Sequence, residues 1–196
     1  MKLWLLRHAP VLLAPGICYG ASEVAVDLTA TEQVARDFSR HPALGSLLLT
    51  SPSHRAQQLA QALRAQRPDL QGPEVDPRLS EIDFGFWEMH AWAQIPRPAI
   101  DAWVADFGDH RFGGKESTQQ VINRVALAVD AMNERQVAEA VWVTHAGVIK
   151  AIQFLKTNAG RRSIASAAEW PAQSVSFGDW TMVEISAGKD GWTCQA

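Results

Sequence analysis

Arginine and histidine side chains follow three short apolar runs of this sequence. Arg7 and His8 come directly after the first run, Arg55 lies in the first turn of the helix expected after the second, and His145 follows the third. A phosphate monoester carries about two negative charges near neutral pH. Its transfer needs an in-line nucleophile, which a neutral imidazole can be, and cations around the equatorial oxygens, which arginine forks supply. The four residues together therefore predict a phosphate site, although each alone has an ordinary structural explanation.

Strands that alternate with helices must position these side chains. Short apolar runs predict strands buried on both faces, at residues 2–6, 44–50 and 141–144, with a further short strand near 74–75. Helical periodicity and terminal signals predict helices at residues 30–40, 51–67, 117–135 and 147–155. This order predicts a three-layer α/β/α sandwich with a mostly parallel central sheet. In such sheets ligands bind beyond the carboxyl ends of the strands, where the arginines and histidines lie.

Local signals predict where some elements begin. Thr29-Ala-Thr-Glu32 resembles a capping box, with a hydroxyl at the N-cap and a carboxylate three residues later. Ser51-Pro52 is expected to open the second helix, whose N–H groups would then face the phosphate. Gly178-Asp179 is a hairpin signal within a weakly alternating tail at 174–185.

Residues 77–116 are predicted to form an irregular lid insertion within a single domain that spans residues 1–196. This segment is rich in Trp, Phe, Pro and Gly. At least half of its aromatic residues are expected to pack, and the others to line an apolar pocket for the leaving group; they are Phe84, Phe86, Trp87, Trp92, Trp103, Phe107 and Phe112.

Composition narrows the possible partners. The formal net charge of −3 over 196 residues argues against a nucleic-acid partner. Cys18 and Cys194 are the only cysteines, which makes a disulfide scaffold improbable and fits a reducing compartment. The apolar run at 3–6 is too short for a signal peptide or a membrane span. We therefore expect a soluble cytoplasmic protein with no membrane partner; the sequence does not indicate an oligomeric state.

Four segments resemble the histidine phosphatase superfamily, in the branch that includes phosphoglycerate mutases. Residues 5–9 are similar to its Arg-His-Gly motif, with Ala9 in place of the glycine, and 50–56 to its Ser-x-x-x-Arg-Ala segment. Residues 79–88 resemble Leu-x-Glu-x-x-Phe-Gly-x-Trp-Glu, and 143–148 the segment of the second histidine. The order and spacing agree over almost the whole chain.

The resemblance implies a role for each matching residue. His8 would be the nucleophile of a metal-independent phosphatase, forming a phosphohistidine without a cofactor. Arg7, Arg55 and His145 would bind the phosphoryl group, with His145 protonated in the complex. Glu81 would be the general acid for the leaving oxygen and then the general base for water. Asp83 and Glu88 are weaker candidates for that role.

Other functions also fit parts of the pattern. A mutase needs further cations on the lid, where acidic residues outnumber basic ones; the basic residues are Arg78, Arg97, Arg111 and Lys115. A phosphatase acting on a small-molecule phosphate ester is therefore favoured, and chain length and the Phe-Gly-x-Trp-Glu segment most resemble α-ribazole phosphatases. A non-catalytic phospho-ligand-binding module is a further alternative. A metallohydrolase using His8 and His145 is disfavoured because no His-x-x-x-His pair or carboxylate cluster accompanies them.

Overall fold

Five strands form the central sheet of the protein. The computed structural model describes residues 1–188 and 191–193. The strands lie in the order β3-β2-β4-β1-β5, in which the first four are parallel and β5 runs antiparallel to β1. Their bounds are Lys2–Arg7 (β1), Leu47–Thr50 (β2), Gln71–Val75 (β3), Glu139–Thr144 (β4) and Trp180–Glu184 (β5). Ser186–Gly188 (β6) and Gly191–Thr193 (β7) form a separate two-stranded sheet.

Helices cover both faces of the sheet, which confirms the predicted three-layer α/β/α sandwich. They are Leu28–Phe38 (α1), His54–Gln66 (α2), Arg97–Ala105 (α3), Thr118–Glu134 (α4) and Ala146–Thr157 (α5). On one face, buried residues of α1 and α2 pack with Leu6 and Val143, and on the other, residues of α4 and α5 pack with Leu5 and Trp142. The central strands are apolar on both sides because both of their faces are buried.

The start of α1 differs from the prediction. Its N-cap is Asp27, whose Oδ1 accepts a hydrogen bond from the Ala30 N–H at 3.0 Å, so the capping box proposed for Thr29 and Glu32 is wrong. Both Asp27 and Thr29 have the short polar side chains that favour an N-cap, and the sequence alone did not separate them.

The second helix and the tail also differ from the prediction. Helix α2 begins after its N-cap Ser53, so Pro52 precedes the helix rather than occupying its first turn. Gly178-Asp179 forms a turn before β5, and β5 pairs with the distant β1 instead of with a preceding strand. The Gly178 N–H donates to the carbonyl of His8 at 3.0 Å, which ties this turn to the strand end where chemistry is expected.

The register of the sheet brings the predicted site residues together. Arg7 pairs with Thr144, and Thr50 pairs with Val143. Because β4 lies between β1 and β2, the next residue of each strand falls at the same sheet edge. His8, Ser51 and His145 therefore meet at the carboxyl end of the three central strands.

The segment at 77–116 contains more regular structure than expected. Three 3-10 helices, at 77–79, 85–87 and 92–94, precede α3. No residue of α3 is buried, although Ala99, Ile100 and Trp103 pack against the cluster that contains Phe112. Aromatic residues of the segment surround the buried Phe112, whose ring lies 4.6 Å from that of Trp103 and 5.9 Å from that of Trp92.

The structure describes one of the two cysteines of the chain. Cys18 is a buried free thiol, and Cys194 lies outside the described residues. None of the helices in the described part of the chain has the length and apolar character that crossing a bilayer requires.

Candidate active site

A cavity of about 460 Å³ opens at the carboxyl edge of the sheet. The five residues for which the sequence predicts a role all line it: Arg7, His8, Arg55, Glu81 and His145. Aliphatic and aromatic side chains of the lid segment line another part of it: Ile82, Phe84, Trp92, Trp103 and Phe107. Four of the seven lid aromatics therefore border the cavity, while Phe86, Trp87 and Phe112 do not.

His8 has a fixed and uncharged imidazole. Its Nδ1 lies 2.8 Å from the carbonyl oxygen of Ala9, and because a carbonyl only accepts, Nδ1 carries the proton. Burial, together with the positive charges of Arg55 and Arg7, lowers the pKa of His8 to about 3, against the raising effect of the Ala9 hydrogen bond. The Nε2 lone pair is therefore free. Ala9, which replaces a glycine of the family motif, does not have a positive φ, so its methyl group brings no strain.

His145 lies against His8, with the ring centroids 5.1 Å apart. Its Nε2 is 2.8 Å from Ser51 Oγ and 3.2 Å from Ser53 Oγ. Burial lowers the pKa of His145 well below its usual range, and His8, Arg55, Arg124 and Arg7 add to the effect. The ring is thus neutral without a ligand, and the expected protonated form concerns only the complex with an anion.

Arg7 and Arg55 present two guanidinium groups to the cavity. Arg7 donates to the Val175 carbonyl at 2.8 Å and stacks on Phe177, whose centroid is 3.8 Å from its Cζ. Arg55 is buried and donates to the carbonyls of Gly20 and Ser22, at 2.6 and 2.7 Å. Within the described residues neither forms a salt bridge, and the Nε of each has no hydrogen-bond partner. Both retain donors and positive charge for an anion.

Glu81 is the acidic residue among the described residues that line the cavity. The Gly147 N–H donates to both carboxylate oxygens, at 3.1 and 3.0 Å, and the Ile82 N–H donates to Oε1 at 3.0 Å. A Cβ added at Gly147 would clash with Glu81 Oε1. The absence of a side chain at Gly147 therefore permits the close approach of Glu81 to the start of α5.

The alternative carboxylates, Asp83 and Glu88, have structural partners instead. Asp83 Oδ1 accepts from the Gly85 N–H at 2.8 Å. Glu88 accepts from the N–H groups of Ala21, Ser22 and Phe84 at 2.6–3.0 Å, which ties the chain at 20–22 to the lid segment. Neither carboxylate borders the cavity in the described part of the chain.

The loop at 15–20 forms part of the cavity wall. Ile17 and Tyr19 line the cavity wall. The centroid of the Tyr19 ring is 5.6 Å from Arg55 Cζ, and burial raises the pKa of its hydroxyl while Arg7 and Arg55 lower it. Tyr19 belongs to no motif of the sequence, and only the fold of the loop brings it close to the arginines.

Further lining residues were not predicted from the sequence. Lys150 lies on α5, one turn after Gly147, and burial lowers its pKa. Phe177 lies in the tail, with its ring 5.5 Å from that of His8. Thr118 opens α4, and Trp170 follows a short 3-10 helix. Lys150 follows Gly147 of the matching family segment by three residues, a spacing that places both on one face of a helix and could have indicated Lys150. The other residues match no motif.

The sequence predicted that N–H groups at the start of the second helix face the phosphate. In the structure the His54 N–H donates to the Glu23 carboxylate, at 3.1 and 3.3 Å. The start of α5 borders the cavity through Ala146 and Gly147. Ser51 and Ser53, which precede α2, are buried beside His145 and hold its imidazole.

Among residues 1–188 and 191–193, no three His, Cys, Asp or Glu side chains form a cluster suited to a metal ion. The paired imidazoles, the two arginines and the Glu81 carboxylate are polar groups that line this cavity.

Comparison with known proteins identifies the family. The model of the histidine phosphatase superfamily, branch 1, matches residues 3–185. This chain belongs to the histidine phosphatase superfamily. The comparison with curated proteins gives no match.

Solved structures share the fold of this superfamily member. A mycobacterial glucosyl-3-phosphoglycerate phosphatase has a TM-score of 0.77 at 24% identity, over 92% of this chain and 88% of that chain. The same mycobacterial enzyme in complex with VO3 has a TM-score of 0.75 at 23% identity, over 99% and 96%. The α-ribazole phosphatase from Shigella flexneri has a TM-score of 0.76 at 22% identity, over 100% and 95%. At these identities the likeness concerns the fold.

Proposed function

We propose that this protein hydrolyses a small phosphomonoester through a phosphohistidine on His8. The observation that carries the proposal is the state of the His8 ring, whose Nδ1–H is held by the Ala9 carbonyl at 2.8 Å while Nε2 stays free beside Arg7 and Arg55. A neutral, oriented imidazole next to two guanidinium groups suits nucleophilic attack on a bound phosphoryl group.

In the first step, His8 Nε2 forms a bond to phosphorus as the bond from phosphorus to the ester oxygen breaks. Arg7, Arg55 and a protonated His145 would bind the equatorial oxygens as charge shifts onto them. Glu81 in its acid form would give its proton to the leaving oxygen, which departs as an alcohol.

In the second step, water attacks the phosphohistidine and gives its proton to the Glu81 carboxylate. The bond from phosphorus to Nε2 breaks, and its electron pair restores the neutral His8 ring. Inorganic phosphate leaves, and Glu81 has regained the proton that the next turnover needs.

Placement of the lid cations favours a hydrolase over a mutase. Of the four basic lid residues, none borders the cavity within the described residues. Arg78 pairs with Asp76 and Arg97 with Asp101, both at 2.7 Å. A mutase must retain its phosphorylated alcohol for a second transfer, and these four lid residues would not supply the cations that bind it. The two arginines that do border the cavity suffice for one phosphoryl group.

Metal independence and a cytoplasmic location belong to the same proposal. The absence of a metal-binding cluster from the described residues supports turnover without a metal. The aromatic lining supports a small metabolite with a ring in its alcohol part, of which α-ribazole phosphate is one example.

Arg7→Ala and Arg55→Ala are each expected to weaken vanadate and phosphate binding by about ten- to a hundredfold, because each removes charge-assisted hydrogen bonds worth about 1.5–3 kcal/mol. Inhibition of p-nitrophenyl phosphate hydrolysis in excess chelator measures this affinity and tests metal independence in one assay. Arg97→Ala, on the exposed face of α3, is the matched control. Unchanged anion affinity in both cavity variants would place the phosphate elsewhere, and loss of wild-type activity with chelator would contradict a metal-free reaction.

Gly147→Ala is expected to lower turnover by about ten- to a hundredfold, since a displacement of about 1 Å at a catalytic group can cost that much. The added methyl group would push the Glu81 carboxylate away from its N–H donor. The melting temperature should not fall, because alanine suits a helix better than glycine. Steady-state rates and thermal unfolding measure the two effects. Wild-type turnover in this variant would show that the position of Glu81 against α5 is not needed.

A further inference from the structure

The cavity continues past the phosphate end into an aromatic chamber, lined by Trp103, Phe107, Val121 and Trp170. The Trp103 and Phe107 ring centroids are 5.4 Å apart, and those of Phe107 and Trp170 are 6.1 Å apart. This volume lies outside the set of imidazoles and guanidinium groups. It must therefore receive the alcohol part of the substrate.

Three polar groups of the residues that line this region have unused hydrogen-bonding capacity. Thr118 is 2% exposed, and its Oγ1 has no partner among the described residues; the same holds for Trp103 Nε1. Lys150 Nζ has three donors, and its one hydrogen bond in this part of the chain is a long one, 3.4 Å to the Ala172 carbonyl. Buried polar groups normally have partners. Thr118 Oγ1 and Trp103 Nε1 are enclosed by the surrounding protein, so Lys150 is the group among the three with donors left for an acceptor bound in the cavity.

Lys150 is placed for the leaving group rather than for the phosphoryl group. Glu81, which would protonate the leaving oxygen, is held at the Gly147 N–H. Lys150 follows three residues later on the same face of α5, about 4.5 Å further along the helix axis. A group bound by Lys150 would thus be attached to the alcohol, one helical turn beyond the oxygen that Glu81 contacts.

The charges of the cavity support a second anionic group. Arg7, Arg55 and Lys150 are cations, and Glu81 is the carboxylate that faces them. When Glu81 carries the proton that it must deliver, a phosphate dianion offsets two of the four positive charges of Arg7, Arg55, the protonated His145 and Lys150, so the cavity keeps an excess of positive charge for a second anion. Burial already lowers the pKa of Lys150, while the charge of Glu81 raises it, so an anion beside it would stabilise its charged form.

We propose that the alcohol part of the substrate carries a carboxylate that binds Lys150. This inference rests on the proposed phosphatase function and names the class of its substrate: a phosphomonoester whose ring-bearing or apolar alcohol is acidic. Lys150 would then be a specificity-determining residue.

The test compares two esters of equal shape, carboxyphenyl phosphate and its neutral carbamoyl counterpart, as meta and para isomers. The kcat/KM ratio of acid to amide is measured for the wild type, Lys150→Gln and Lys150→Glu. Differences in leaving-group chemistry cancel when ratios are compared between proteins. For at least one isomer the ratio should fall by about ten- to a hundredfold in Lys150→Gln, and further in Lys150→Glu. Lys156→Gln, at an exposed position of α5 outside the cavity, should keep the wild-type ratio.

The outcomes separate this inference from the function on which it rests. Hydrolysis of both esters with the same ratio in the wild type and Lys150→Gln would overturn the carboxylate site and leave the phosphatase intact. Higher wild-type kcat/KM for α-ribazole phosphate, which has no carboxylate, than for any acidic ester would do the same. If the wild type hydrolyses no phosphomonoester, the proposed function fails and the inference fails with it.

Discussion

His8→Ala will abolish turnover of every phosphomonoester, with a loss of about four orders of magnitude or more. The variant has no ring nitrogen at the end of β1 to form the bond to phosphorus. The fold should persist, because β1 keeps its pairing with β4 and β5 and only one buried side chain is shortened. Circular dichroism and thermal unfolding check that point before rates are compared.

Rapid quenching of a single turnover with labelled substrate tests the nucleophile directly. The wild type should carry acid-labile, base-stable label on His8, as a phosphohistidine does. His54→Ala is the matched control, since this imidazole is exposed and lies outside the cavity, and it should label like the wild type. Label on another residue, or substantial turnover by His8→Ala, would overturn the assignment.

The assignment of His8 as the nucleophile also predicts how the ionisation of its ring depends on pH. A pKa of about 3 for His8 means that the ring is neutral above that value and loses its nucleophilic lone pair only as the pH falls through it. An ordinary histidine would become protonated near 6.5. NMR of the His8 ring in the ligand-free protein should show no titration between about pH 8 and about pH 5. A midpoint near the ordinary value would contradict the buried, cation-flanked state.

Glu81→Gln will lower the rate of His8 phosphorylation by about 10²–10⁴-fold for substrates with poor leaving groups, the usual contribution of general acid catalysis. A glutamine can occupy the same space but cannot give a proton to the leaving oxygen. For p-nitrophenyl phosphate the loss should be smaller, because that leaving group needs little help from an acid. Hydrolysis of the phosphohistidine should also slow, since the same carboxylate activates water.

Presteady-state rates for a series of aryl and alkyl phosphates measure this dependence. Asp83→Asn is the matched control: its carboxamide oxygen can still accept from the Gly85 N–H, and Asp83 lies outside the cavity. The control should keep the wild-type dependence on the leaving group. Equal losses for good and poor leaving groups in Glu81→Gln would indicate a positioning role, and full activity would point to another acid.

The fold class could be predicted from the sequence alone, and so could five residues that line one cavity at the carboxyl edge of the sheet. Continuous apolar runs followed by Arg7-His8 and by His145 predicted buried parallel strands with functional residues after them, and the structure confirms those strands. Ser117 as the start of α4 was predicted as well, and its side chain accepts from the Gln120 N–H. These features are local: they depend on periodicity, capping chemistry and short motifs, which adjacent residues specify.

The order of the strands and the set of residues that meet at the cavity depend on tertiary structure. The strand order β2-β4-β1 brings Ser51 to His145, and no local pattern encodes the neighbours of a parallel strand. The lining of the far end of the cavity depends on packing in the same way: Trp103, Thr118 and Lys150 belong to three different helices, and only the packing of those helices brings the three residues to one cavity.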